Sequence, residues 1–270
     1  MKKILLSIIL GLSLLGGSYS CKVQQSDLKS GYANIQYVHP TLYSTLYQQN
    51  AAEYKALCYQ AFNLASLQLQ RELKATRIKP LAVVVDIDET VLDNIPYQAA
   101  AILGNFGYPV RWKEWMESAS AEAIPGSLEF LTEAQKYGAE VFYVSNRKEE
   151  FRQATIRNLH EKGFPNADNE HLLLRTTATE KESRRQKIIE KYEIAVLIGD
   201  NLGDFNEVFE TSDSEQRLQK TVENKSVFGY RWIVLPNAVY GGWVDVLPGY
   251  NPALNPGTLS DSLKSGLKGF

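Results

Sequence analysis

Two aspartates one residue apart, Asp86 and Asp88, close the apolar run Leu81-Ala-Val-Val-Val. Carboxylates that close repel unless a cation lies between them or one of them holds a proton. Either condition is useful chemically, for holding a metal or for moving protons. A solvated acidic turn carries such a pair equally well, so the pair alone decides nothing. A second pair stands more than a hundred positions later, in Gly199-Asp200-Asn-Leu-Gly-Asp204. Mg²⁺ takes hard oxygens in octahedral geometry, usually one or two carboxylates with waters and phosphate oxygens. Asp86, the backbone carbonyl of Asp88, and Asp200 can supply the protein's share, with Asp204 reaching the ion directly or through a water. Ser145 adds a hydroxyl, and Lys181, Arg184, Arg185 and Lys187 add positive charge.

These groups act together only if the elements that carry them converge. A short unbroken apolar run such as 81–85 reads as a strand buried on both faces, and Pro80 suits its start. Side chains alternate along a strand, so Asp86 and Asp88 can point the same way. Further strands are predicted at Glu140–Val144, ending in Ser145-Asn146-Arg147, and at His171–Leu174, Glu193–Ile198 and Arg231–Leu235. Helices are predicted at Gly126–Tyr137, capped by Gly138, at Glu149–Lys162 and at Lys181–Tyr192. That alternation predicts an α/β fold, a Rossmann-like core with a parallel sheet flanked by helices. A parallel sheet brings its strand carboxyl ends to one edge, where ligands bind.

Residues 41–79 read as helices, with a break near Gln49-Asn50. Cys58 lies there among Tyr54, Leu57, Ala61 and Phe62 at helical spacing, as expected of a buried structural thiol. Residues 80–94 hold the first strand and its loop, 95–125 a short, mainly helical cap insert, and 126–247 the rest of the core. The tail, 248–270, is rich in Gly, Pro, Asn and Ser and is expected to be extended or mobile.

At the other end, Met1-Lys2-Lys3 precedes the apolar run Ile4–Gly17, which is short for a membrane span and fits a signal segment. Residues 1–20 are read as a lipoprotein-type signal peptide, Cys21 as the lipidated residue, and 21–40 as a tether. Ser18 and Ser20 stand where the usual lipoprotein pattern has Leu and Gly or Ala. The expected location is therefore outside the cytoplasm, anchored through lipid, in the outer membrane. With Cys21 a thioether, Cys58 has no partner for a disulfide. The net charge of −2 and pI near 6.0 supply no field for nucleic acid. With 270 residues, 44% of them hydrophobic, the chain can bury one substantial core.

Several segments together resemble one family. They are Asp86-Ile-Asp-Glu-Thr-Val-Leu-Asp93, Tyr143-Val-Ser-Asn-Arg147, Gly199-Asp-Asn-Leu-Gly-Asp-Phe205 and Leu235-Pro-Asn-Ala-Val-Tyr-Gly-Gly-Trp243. The helical stretch Ala52-Glu-Tyr-Lys-Ala-Leu with Gln60-Ala-Phe-Asn63 is similar too. The resemblance is to the class C acid phosphatases, bacterial surface nucleotidases of the haloacid dehalogenase (HAD) superfamily.

That resemblance implies a nucleophilic Asp86 forming an aspartyl-phosphate, and Asp88 as the acid and then the base. It implies Mg²⁺ held by Asp86, Asp88, Asp200 and Asp204, and a hydrogen bond from Ser145 to a phosphoryl oxygen. It implies a lysine that offsets developing negative charge. Lys181 is chosen by its place in Lys181-x-x-Arg184, with Arg184, Arg185 and Lys187 as rivals that a solvated helix face would also explain. Asn146 either touches phosphate or fixes its loop. Arg147 is read as a surface or ion-pair residue, Thr90 as structural, and Glu89 and Asp93 as turn and capping residues. The implied substrate is a small phosphomonoester, a nucleoside 5′-monophosphate, whose base would stack on Tyr240 or Trp112, with Trp115 and Trp243 as further candidates.

A phosphotransferase would use the same residues. A non-catalytic binding lipoprotein, for haem for example, is the reading from another class, but His39, His160 and His171 lack clustered ligand spacing. The sequence allows a homodimer.

Overall fold

The computed structural model describes residues 39–177 and 179–270. The signal segment, Cys21 and nearly all of the tether lie outside the described residues. Among the described residues, no helix is long and apolar enough to cross a membrane.

Two helices, α1 (Leu42–Asn50) and α2 (Ala52–Lys74), lead into β1 (Leu81–Val85). The break between them falls at Ala51, which is extended at ψ 129°. Next come β2 (Leu92–Asp93), α3 (Ile95–Gly104), α4 (Trp112–Ser118), β3 (Glu122–Ala123), α5 (Ser127–Lys136) and β4 (Glu140–Lys148). Then follow α6 (Arg152–Glu161), β5 (Leu172–Arg175), α7 (Glu182–Lys191), β6 (Glu193–Gly199), α8 (Ser214–Glu223), β7 (Trp232–Val234), α9 (Gly242–Asp245) and α10 (Pro256–Leu263). Five strands form one sheet in the order β5-β4-β1-β6-β7, and every pairing in it is parallel.

The sheet is buried on both sides, and β1 shows why. Leu81, Val83 and Val85 join one apolar cluster with Cys58, Phe62, Leu69 and Leu131, from α2 and α5. Ala82 and Val84 join a second with Phe142, Val144 and Ile188, under α7. All five β1 residues are at most 3% exposed. Full burial of a side chain such as Val contributes about 1.5–3 kcal/mol. The run therefore reads as continuous because neither face is wet.

The order of the sheet sets the site. Strand β1 lies between β4 and β6: the chain passes to β4 and β5 on one side and returns to β6 and β7 on the other, which opens a crevice at the carboxyl end of β1. Val85 pairs with Tyr143 on one side and Ile198 on the other, which brings Asp86 level with the end of β6 and just before Ser145 of β4. The insert 95–125 leaves and returns through an antiparallel pair, Leu92 with Ala123 and Asp93 with Glu122. Between these roots it is mainly helical.

Two expectations are corrected, and one helix is unforeseen. Strand β4 runs past Val144 to Lys148, because its pairing with β5 continues across an irregularity between Ser145 and Lys148. Ser145 thus sits within the strand, not after it. The tail is not extended throughout: α10 forms where Asn255 accepts a hydrogen bond from Thr258 N (3.0 Å), and Ser262 Oγ ties it to Gly249 O (2.7 Å). Helix α8 (Ser214–Glu223) has no counterpart among the elements expected from the sequence. It starts at Asp213, whose carboxylate accepts from Glu215 N (2.7 Å), and it leaves Leu218 and Val222 exposed.

Candidate active site

Asp86 continues the alternation of Ala82 and Val84, so it points to the face that α7 covers. Lys181 stands at the N-cap of that helix. Its Nζ contacts Asp86 Oδ1 and lies 2.7 Å from Asp204 Oδ1. Both carboxylates and the ammonium are nearly enclosed. Burial lowers the proton affinity of Lys181, but Asp204 and Asp86 outweigh it and hold the lysine above its ordinary range. Of the basic cluster, Lys181 is the side chain that contacts Asp86 and Asp204. Among its rivals, Lys187 is exposed and the two arginines have other partners. Arg184 donates to Ser145 O (2.6 Å) and Asn146 Oδ1 (2.7 Å), and Arg185 to Asp204 O (2.6 Å) and Glu182 (2.7 Å). Both arginines are buried, so that face of α7 is not the solvated one the charge pattern allowed.

Asp86, Asp200 and Asp204 each offer an oxygen within 4.8 Å of the others. Burial first, then Asp204 and Asp88, raise Asp86 to about 7 against the opposing pull of Lys181. Asp200 is held well above the usual carboxylate range by the surrounding protein and then by Asp204 and Asp86. Three carboxylates against one ammonium leave the cluster short of positive charge. A hard divalent cation with oxygen ligands fits that donor set.

The second pair of aspartates depends on a tight turn. Asn201 Oδ1 accepts from Gly203 N (3.3 Å), and Asp204 Oδ2 accepts from Asn201 N (2.9 Å). These reciprocal bonds fold Asp204 back over Gly199. A Cβ at Gly199 would lie 2.3 Å from Asp204 Oδ2 and 2.5 Å from its Cβ. Asp200 is gripped separately, by Asn237 Nδ2 (2.8 Å) and Thr90 Oγ1 (3.4 Å).

Asp88 does not share the trio's position. Its Oδ1 accepts from Arg147 Nε (3.0 Å), Arg147 Nη2 (2.8 Å) and Asn94 Nδ2 (2.6 Å). Of the two readings of Arg147 the ion pair is the one found, and it is buried rather than at the surface. Glu89 is also buried, in a left-handed turn at φ 56°, and accepts from Asn94 N (2.9 Å). Burial, then Asp88, Asp200 and Asp93, raise Glu89 well above the usual carboxylate range. Ser145 is buried, and its Oγ accepts from Arg147 N (3.2 Å), which leaves the hydroxyl proton for another acceptor. Asn146 is exposed and held by Arg184.

The aromatic candidates separate. Tyr240 is half-buried, and its N–H donates to Asn237 Oδ1 (3.3 Å), the residue that also holds Asp200. Trp112 instead packs edge-on against Tyr97 (4.9 Å between centroids) and Tyr108 (5.6 Å) inside the insert. Of the two insert tryptophans it is Trp115 that reaches the acidic centre, through Asn94 Oδ1 (2.7 Å).

Sequence reasoning missed Asn94, Asn201, Asn237 and the buried role of Arg147. Each of the asparagines follows a strand end or an aspartate, which is the one signal that could have found them.

The chain matches the profile of HAD superfamily subfamily IIIB (acid phosphatase) over residues 11–243. Its fold is similar to that of the class C acid phosphatase from Bacillus anthracis, with a TM-score of 0.81 and 38% identity, covering 85% of this chain and 97% of that one. A tungstate-bound structure of that phosphatase matches with a TM-score of 0.80 at the same identity and coverage. Among curated relatives, acid phosphatase 1 of Solanum lycopersicum is 33% identical over 130 residues, 45% of this chain and 50% of that protein. Vegetative storage protein 1 of Arabidopsis thaliana is 28% identical over 138 residues, 46% of this chain and 48% of that protein. The chain spans about half the length of these curated relatives.

Proposed function

Since the chain belongs to the HAD superfamily subfamily IIIB acid phosphatases, we propose that it is a Mg²⁺-dependent phosphomonoesterase that prefers nucleoside 5′-monophosphates. One observation carries this reading: Asp86, Asp200 and Asp204 converge within 4.8 Å, with Lys181 on two of them. The tungstate bound by the similar Bacillus anthracis phosphatase supports an oxyanion site in this fold.

In this reading an ionised oxygen of Asp86 attacks phosphorus in line with the leaving oxygen, forming an aspartyl-phosphate. Asp88 gives its proton to the leaving oxygen and then takes one from the water that hydrolyses the intermediate. Lys181 and the Ser145 hydroxyl stabilise negative charge on the transferring group, already fixed in place before reaction. Mg²⁺ held by Asp86, Asp200, Asp204 and the backbone carbonyl of Asp88 would neutralise phosphate charge and favour an ionised Asp86.

The nucleotide preference rests on Tyr240, whose placement by Asn237 puts an aromatic ring on the same scaffold as Asp200. Stacking a base on such a ring contributes about 1–3 kcal/mol. Catalytic efficiency on AMP and on glycerol phosphate tests both parts. Hydrolysis of both, with AMP favoured and with Asp86→Asn inactive on each, is expected. Equal efficiency removes the nucleotide preference, and an active Asp86→Asn removes the mechanism.

Export and lipid anchorage at Cys21 belong to the same proposal. They are supported by the charged start, the short apolar run and the cysteine that follows it. Radiolabelled fatty acid should enter the wild-type chain in cells and be lost in Cys21→Ser; equal labelling of both would contradict the anchor.

A further inference from the structure

A general acid needs one oxygen free to carry the proton, and Asp88 has its two oxygens in unequal surroundings. Oδ1 accepts three donors, two from Arg147 and one from Asn94. No hydrogen bond among the described residues reaches Oδ2. The Asp88 side chain is 21% exposed, whereas that of Arg147 is 2% exposed. The blocked oxygen thus faces the protein and the other is left toward the open side.

The Asn94 amide could in principle turn either way. Turned over, its carbonyl oxygen would face the carboxylate and repel it. Trp115 prevents this. An indole N–H only donates, and Trp115 Nε1 lies 2.7 Å from Asn94 Oδ1. Asn94 must therefore present its NH₂ to Asp88. Glu89 Oε1 fixes the backbone of the same residue through Asn94 N (2.9 Å). Asn94 is wholly buried, so water cannot substitute for these partners. Trp115 itself belongs to α4 of the insert and packs on the main apolar cluster.

We infer that Arg147 and the Trp115–Asn94 pair are positioning residues that occupy Oδ1 of Asp88 and make Oδ2 the oxygen that exchanges protons with substrate and water. The inference rests on Asp88 being the acid and base of the proposed reaction. In the first half, a bond forms between an Asp86 oxygen and phosphorus, the ester P–O bond breaks, and the Oδ2 proton moves to the leaving oxygen. Asp88 is then an anion, which the Arg147 guanidinium and Asn94 already face. In the second half Oδ2 takes a proton from water as that oxygen bonds to phosphorus and the Asp86–phosphorus bond breaks. The insert thereby contributes to the chemistry without touching the phosphate.

The leaving group supplies the test. A nucleoside 5′-oxygen must be protonated as it departs, whereas 2,4-dinitrophenolate departs as a stable anion. The kcat/KM values for AMP and 2,4-dinitrophenyl phosphate are to be measured for the wild type, Asp88→Asn, Arg147→Lys and Trp115→Phe. Arg147→Lys keeps the charge but loses the two-pronged grip, and Trp115→Phe keeps the ring but loses the donor. Each is expected to lose several-fold more efficiency on AMP than on the dinitrophenyl ester, with the gap at least tenfold for Arg147→Lys. A merely structural role would lower both esters in proportion, and that outcome overturns the inference. If Arg147→Lys does not fold, Trp115→Phe decides alone: a selective loss on AMP supports the inference, while equal losses or none overturn it. Asp88→Asn is the control on the underlying reading. If it loses both esters equally, Asp88 is not the acid, and the proposed mechanism fails before the question of its orientation arises.

Discussion

Asp204 closes over Gly199 so tightly that a Cβ on the glycine would stand 2.3 Å from the carboxylate Oδ2. The backbone there does not need a positive φ. The demand is for space, and it comes from the turn that returns a carboxylate oxygen of Asp204 to the neighbourhood of Asp86. Gly199→Ala is therefore expected to displace Asp204 while leaving the sheet intact. Loss of a group that orients a ligand typically weakens metal binding about 10–100-fold. Isothermal titration with Mg²⁺ measures this; unchanged affinity would show that Asp204 is not among the groups that hold the ion.

Lys181 contacts Asp86 and Asp204 and has no role in the apolar core. Its replacement should affect turnover above all. Removing one preorganised donor to a developing oxyanion costs roughly 10²–10³-fold in kcat, and Lys181→Met is expected to fall in that range. Inhibition by inorganic phosphate should weaken in the same variant. A loss of only a few-fold on AMP would return the role to Arg184 or Arg185.

Glu89 is buried with its proton affinity raised, first by burial and then by three neighbouring aspartates. A carboxyl whose folded value is raised favours folding fully below its unfolded value of about 4.3. That contribution is lost as the pH rises toward the folded value. Glu89→Gln keeps a neutral acceptor for Asn94 N and removes the titration. Chemical denaturation in EDTA, between pH 4 and pH 8, should show Glu89→Gln gaining stability relative to the wild type as the pH rises. A difference that stays constant with pH would mean that Glu89 is ionised in the fold.

Tyr240 and Trp112 separate by their surroundings. Tyr240 hangs from Asn237, which grips Asp200, while Trp112 sits in the aromatic cluster of the insert. Tyr240→Ala should lower efficiency on AMP about 5–150-fold, as expected from 1–3 kcal/mol of stacking, and lower glycerol phosphate far less. Trp112→Ala should instead lower the melting temperature. Equal losses on both substrates with Tyr240→Ala would remove stacking from the account.

The sheet and the acidic site were legible because periodicity and strand ends carry them. The β1 run is apolar on both faces because α2 and α7 cover both, and Asp86 follows it directly. Residues joined by side-chain hydrogen bonds across the fold were not legible. Arg147 reads as a surface or ion-pair residue, and only the fold shows that its ion pair is buried and made with Asp88. Trp115 reads as a ring for stacking or packing until its N–H is traced to Asn94. The basic helix misled for the same reason. Charge pattern alone does not tell a solvated face from two buried arginines that each donate to a backbone carbonyl of another segment, Ser145 O and Asp204 O. Helix α10 was hidden by its composition and depends on a cap at Asn255 that Gly- and Pro-rich surroundings disguised.

The central claim is that Asp86, Asp200 and Asp204 share one divalent ion on which phosphomonoester hydrolysis depends. The most direct measurement is AMP hydrolysis by the metal-stripped protein as Mg²⁺ is added back, with bound metal counted in parallel for the wild type and Asp200→Asn. The account predicts no turnover after stripping, recovery that tracks one bound ion per chain, and an Asp200→Asn variant that neither binds that ion tightly nor turns over. Full activity in the stripped enzyme, or an Asp200→Asn variant as active as the wild type, would contradict it.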